Sequence, residues 1–186
     1  MQKSGDKVFD DLIMKLLNKY KERRISYEQY FKHPFFRFNE PKNVLAFNKI
    51  YNTNISSYDK RIYFSGYFNG NQLLKDLSKV SFVNLKELHL EFCNITDLTP
   101  LESESFKNIL LLNLQNNKIS NLNPLKKIKF IWVKEITFNF NNIIDISPLK
   151  EIPFKQLERI CFLGNPSFIN NERNKSIIHS IISKKI

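Results

Sequence analysis

The residues of this 186-residue chain best suited to nucleophilic or metal chemistry are three histidines, His33, His89 and His179, and two cysteines, Cys93 and Cys161. Their spacing assembles neither chemistry. No Cys/His pair stands at the short separations that place ligands around one metal ion. Cys161 and His89 are three 24-residue units apart. At a strand spacing of about 4.8 Å per unit that is about 15 Å, too far for a thiol and its base. Gly66 and Gly70 form an isolated Gly-x-x-x-Gly outside any strand–loop–helix phosphate cradle. Two cysteines do not make a disulfide framework, which points to a reducing, cytoplasmic setting. The residues therefore predict no catalytic group, no metal ligand and no cofactor, and the chain reads as not an enzyme.

The elements that position these side chains are set by a period. Leu85, Ile109, Val133 and Leu157 each open a segment, and successive openings are 24 residues apart. Apolar residues recur at the first, fourth, sixth and eleventh places, as Leu85, Leu88, Leu90 and Ile95 do in the first copy. Cys93, Asn117, Asn141 and Asn165 hold the ninth place. The Leu-x-Leu core of each unit predicts a short strand with alternate residues inward. An inward asparagine at a fixed place predicts a ladder that satisfies turn backbone groups, with buried Cys93 substituting once. Phe82, Phe106, Phe130 and Phe154 repeat on the same period and read as stacked core residues.

This pattern resembles the leucine-rich repeat. The segments DLTPL from Asp97, NLNPL from Asn121 and DISPL from Asp145 resemble the convex turn of internalin-like short repeats. The resemblance implies an α/β fold class: a leucine-rich-repeat solenoid with a parallel concave sheet and a helical or 3-10 convex side. A degenerate leading unit is expected over Asp59–Asn84, with Ile62 and Phe64 in strand places and Leu73, Leu74 and Leu77 on a helix. The predicted organisation is an N-terminal α-helical hairpin over 1–36, a linker over 37–58 with one helical turn around Val44–Ile50, repeats over 59–168, and a capping helix over 169–186.

Within the N-terminal segment, Phe9, Leu12, Ile13, Leu16 and Leu17 share one helical face, and Ser26 with Gln29 fits a capping box before His33-Pro34. The wording DLIMKLLNKYKERRISYEQYFKHPFF, Asp11 to Phe36, resembles the last subdomain of eukaryotic Ser/Thr protein kinases. The resemblance implies that Arg24 matches the arginine that pairs with an Ala-Pro-Glu glutamate in those enzymes. The chain holds no Gly-rich loop, Val-Ala-Ile-Lys strand, His-Arg-Asp loop or Asp-Phe-Gly. Phosphoryl transfer cannot be assembled from what is present.

Net charge is +11, but it is unevenly placed. Residues 85–156 hold nine Lys/Arg against eight Asp/Glu, so the excess lies in the flanks. A phosphate-tracking surface needs a clustered stripe, so nucleic acid is disfavoured as a partner. Three Asn-x-Ser/Thr sequons are read as chance in an Asn-rich chain. No apolar run approaches the roughly 18 residues of a membrane span, and the polar opening Met1–Asp11 lacks a signal-peptide pattern.

Function then falls to the outward places of the strands. The predicted partner-binding concave face comprises Glu87, His89, Glu91, Phe92, Asn113, Gln115, Glu135, Thr137, Asn139, Phe140 and Arg159. Exposed aromatics among polar residues are typical of protein-binding patches. Phe92 and Phe140 either stand out as such anchors or fold back over the strand edge as core; the residues alone leave both open. The glutamates favour a locally basic partner. The expectation is a protein-interaction module. The alternative is the C-terminal fragment of a Ser/Thr kinase with a repeat tail and its catalytic part upstream. Partner identity and oligomeric state are left open by the sequence.

Overall fold

The structure, a computed structural model, describes residues 7–16, 41–128, 130–166 and 172–182. In chain order the elements are α1 (Lys7–Leu16), α2 (Lys42–Tyr51), β1 (Arg61–Ser65), α3 (Gly70–Leu77), β2 (Glu87–Glu91), β3 (Leu111–Asn113), β4 (Glu135–Thr137), β5 (Arg159–Cys161) and α4 (Glu172–Ile182). Four short 3-10 segments, Thr99–Glu102, Glu104–Phe106, Asn123–Lys127 and Ser147–Glu151, lie between β2 and β5. The second half of the predicted N-terminal hairpin, with Arg24 and His33, lies outside the described residues.

The five strands form one parallel sheet in sequence order. Arg61 lies opposite Glu87, and the row continues through Leu111 and Glu135 to Arg159. Each strand alternates inward and outward side chains. Inward are Ile62 and Phe64, Leu88 and Leu90, Leu112 and Leu114, Ile136 and Phe138, Ile160 and Phe162, all buried. The connections run back over the other side and bury Leu98, Leu101, Leu122, Leu125, Ile146 and Leu149. Proline opens three of these 3-10 segments, where its fixed φ suits a helical start. The side-chain oxygens of Asp97, Asn121 and Asp145 accept from the backbone N–H two residues on, at 2.9, 2.9 and 2.8 Å. The arrangement is leucine-rich-repeat-like, and the outward face of the sheet is the one the sequence reading takes as concave.

The asparagine ladder is in place. Asn117 Oδ1 accepts from the N–H groups of Cys93 and Ile95 at 3.0 Å, and its Nδ2 donates to the carbonyls of Leu90 and Leu114 at 2.7 and 3.0 Å. Asn141 and Asn165 repeat this, accepting from Ile119 and Ile143 and donating to carbonyls of two successive strands. Each amide therefore ties a repeat to the one before it. Cys93 keeps half of the pattern: its thiol points at the carbonyls of Glu91 and Phe64, at 3.1 and 3.7 Å. Burial pushes that thiol above its ordinary pKa, so it stays protonated as a weak donor.

One continuous core runs from Val44 in α2 to Ile181 in α4. Residues 42–51 form a ten-residue helix where the sequence reading has a linker with one helical turn. Val44 and Phe47 are buried, and the Phe47 ring meets Phe64 edge-on with centroids 5.8 Å apart. The helix covers the first repeat, whose apolar end would otherwise face water. At the other end, α4 buries Ile177 and Ile181 against the last 3-10 segment. Of the periodic phenylalanines, Phe106 and Phe130 are fully buried, while Phe82 and Phe154 are partly buried against the core. The Gly-x-x-x-Gly is architectural. A Cβ on Gly70 would stand 2.1 Å from the Cys93 carbonyl oxygen, to which the Gly70 N–H donates at 2.9 Å.

Candidate functional site

The outward residues form four rows across the sheet, one residue from each repeat. The first row is Arg61, Glu87, Leu111, Glu135, Arg159. The second is Tyr63, His89, Asn113, Thr137, Cys161. The third continues from Ser65 and Glu91 to Gln115, Asn139 and Leu163, and the fourth is the turn row Gly66, Phe92, Asn116, Phe140, Gly164. The sheet thus brings every predicted partner-binding residue onto one face. Sequence reasoning did not name Arg61, Tyr63 and Ser65. The signal was there, because Ile62 and Phe64 already held inward places.

The charges of this face are largely satisfied within it. Arg61 Nε binds Glu87 Oε1 at 2.9 Å, and Arg159 pairs with Glu135. Glu91 accepts from Asn113 Nδ2 at 2.6 Å and from Gln115 Nε2 at 2.9 Å. Two of the three glutamates on which the expectation of a locally basic partner rests are thus paired with arginines of the first and last strands. Tyr63 stacks on His89 with ring centroids 4.1 Å apart. The His89 Nε2 is buried without a hydrogen-bond partner among the described residues and stands 3.7 Å from Glu87 Oε2. An open depression of about 490 Å³ is lined by the Glu135–Arg159 and Lys134–Glu158 pairs together with Glu87, Leu110 and Leu111.

The turn row decides what the two rim phenylalanines are. All five of its residues have positive φ: Gly66 +76°, Phe92 +54°, Asn116 +55°, Phe140 +55° and Gly164 +75°. Glycine and asparagine enter this left-handed region readily, whereas a bulky side chain there is an outlier. Phe92 and Phe140 are nevertheless held there, and 55% and 52% of their surface is exposed. They are not core residues folded over the strand edge. Phe140 rests on Gly164, where a Cβ would come within 2.4 Å of its ring. Leu163, beside it, is also exposed.

Cys161 and His89 sit in the same row with Asn113 and Thr137 between them. Among the described residues no group of three His, Cys, Asp or Glu is placed to hold a metal ion, and no helix is long and apolar enough to cross a membrane.

No family model and no curated protein matches the chain. Among solved structures, an internalin C2 from Listeria monocytogenes matches at 26% identity over 52% of this chain, with a TM-score of 0.39. A second internalin of that organism matches at 21% identity over 49% of this chain, with a TM-score of 0.36. The chain spans 41% of the first of these proteins and 31% of the second, and internalins are what it is similar to over about half of its own length.

Proposed function

We propose that the chain is a protein-interaction module, without catalytic activity of its own, that binds a protein partner through the concave face and its phenylalanine rim. The observation that carries the reading is the backbone of Phe92 and Phe140. Each sits exposed in a conformation that glycine or asparagine would adopt at lower cost. Neither local propensity nor core packing accounts for an aromatic ring there, and strain kept at an exposed place marks function. Around the rings the face is polar, with Glu87 and Glu135 paired to arginines and Glu91 held by two side-chain amides, the composition of an interface rim around apolar anchors. The setting we assign is cytoplasmic, and nucleic acid and membrane are not proposed as partners. The test is affinity capture with the wild-type chain against a Phe92/Phe140/Glu135 triple substitution. Partners lost from the triple variant support the reading; a full set of partners surviving it removes the concave face as the site.

A second reading rests on the kinase-like wording from Asp11 to Phe36. In it the chain is the C-terminal part of a Ser/Thr kinase whose activity lies upstream. An in-frame His-Arg-Asp and Asp-Phe-Gly in the preceding coding sequence would establish it, and their absence there would end it.

A further inference from the structure

β1 ends the sheet, and part of its outer edge is open. Two bonds fix how the strand faces its neighbour. The Lys60 carbonyl accepts from the Glu87 N–H at 3.0 Å, and the Gly66 N–H donates to the Glu91 carbonyl at 3.1 Å. Backbone groups of alternate residues point to the same side of a strand. Residues 60, 62, 64 and 66 therefore serve β2, and Tyr63 and Ser65 point away from it. In later strands the outward residues bond the repeat before: the N–H groups of Leu111, Glu135 and Arg159 donate to its carbonyls at 3.1, 3.1 and 3.0 Å. In β1 the outward residues Tyr63 and Ser65 are exposed, and their backbone groups find no partner among the described residues.

Such an edge fits another extended strand, because its N–H and C=O groups already stand at ladder spacing. Charge chooses among strands. Residues 41–84, which build this end of the array, hold six Lys/Arg against two Asp/Glu. Lys60 and Arg61 stand at the start of β1 itself, and the Arg61 side chain is exposed while it holds Glu87. A second copy pairing its β1 with this one would set two basic ends against each other. A copy stacking its β5 here would bring Arg159 into the row of Arg61. Like charges so placed are unfavourable, whereas acidic side chains are drawn in.

We propose that the outer edge of β1 binds an extended, acidic segment of a protein partner, added to the sheet as a sixth strand through the backbone of Tyr63 and Ser65. This surface is separate from the phenylalanine rim. The experiment is amide hydrogen exchange of the full chain, resolved by NMR. The probe is an end-blocked Asp-Thr-Val-Thr-Val-Thr-Asp peptide, which presents an acid in either strand direction. In the free chain the Tyr63 and Ser65 amides should exchange fast, and those of Ile62 and Phe64, in the ladder, slowly. The probe at about 1 mM should slow Tyr63 and Ser65 at least about tenfold. A probe with lysine in place of aspartate should protect them several-fold less, and one N-methylated at every Thr and Val, which has lost those donors, should not protect them. Ser65→Pro removes an edge donor that the ladder does not use and should weaken binding about tenfold. If that variant unfolds, the methylated probe reads the same contacts in the unaltered chain. Phe140→Asn should bind the probe as wild type does. Equal protection by the lysine or methylated probe, no protection by any probe, or loss of binding in Phe140→Asn overturns the proposal. So does protection in the free chain that rises with its concentration, which would make a second copy the occupant. The concave-face reading is tested by capture without this probe, so either can fail alone.

Discussion

A phenylalanine at φ near +55° costs roughly 1–2 kcal/mol relative to a relaxed backbone. At Phe92 and Phe140 that cost is met with half of each ring in water. Replacing either with asparagine relieves the strain and gives up about half the burial of a ring, itself worth roughly 1.5–3 kcal/mol when complete. The two terms nearly cancel, so urea unfolding of Phe140→Asn should match wild type within about 1 kcal/mol. Phe138→Ala, two residues earlier but fully buried and stacked on Phe162, should cost about 3–5 kcal/mol. Cysteine chemistry separates by exposure in the same way. A thiol reagent should modify part-exposed Cys161 in the native chain and leave buried Cys93 intact until unfolding, with mass spectrometry as the readout. At this scale the period placed the outward residues of the four regular repeats on their face and left Arg61, Tyr63 and Ser65 of β1 unnamed. It could not reveal the left-handed backbone under the two rings, because nothing in their identity asks for it. Asn116 and the glycines of the same row did carry that signal, and reading the eighth place across repeats as one conformation would have found it.

The ladder and the two end caps hold the array together. Asn141 is buried and makes hydrogen bonds to backbone groups of Ile119, Leu114 and Phe138. Asn141→Ala strands those groups at about 1–3 kcal/mol each, so a loss of at least about 3 kcal/mol in unfolding free energy is expected. At the N-terminal cap, Tyr51 donates to Asp76 Oδ2 at 2.9 Å. Burial raises the Asp76 carboxyl, but hydrogen bonds from Lys79, Gln72 and Tyr51 outweigh it and hold the carboxyl below its ordinary 3.8. A depressed carboxyl contributes stability above its unfolded pKa and loses it as pH falls through the lower folded value. Tyr51→Phe should therefore cost about 1 kcal/mol at neutral pH, and the cost should shrink as pH falls below about 3.8, followed by denaturant midpoints. This cap was the element least legible in the sequence. Val44, Phe47 and Tyr51 stand at helical spacing, but interleaved asparagines and lysines leave only a weak amphipathic signal. The repeat strands, with three or four apolar places fixed per unit, left no comparable ambiguity.

Across the whole molecule, the concave face is polar and internally paired while the rim is apolar. Partner binding should therefore be governed by ring contacts and depend weakly on salt, in contrast to what a net charge of +11 suggests for an acidic partner. The most direct test of the account measures capture and stability together on a Phe92→Asn/Phe140→Asn double variant. The captured partner is expected to be lost while the unfolding midpoint stays at the wild-type value. A variant that keeps its partner, or one that unfolds as a core mutant does, would contradict it.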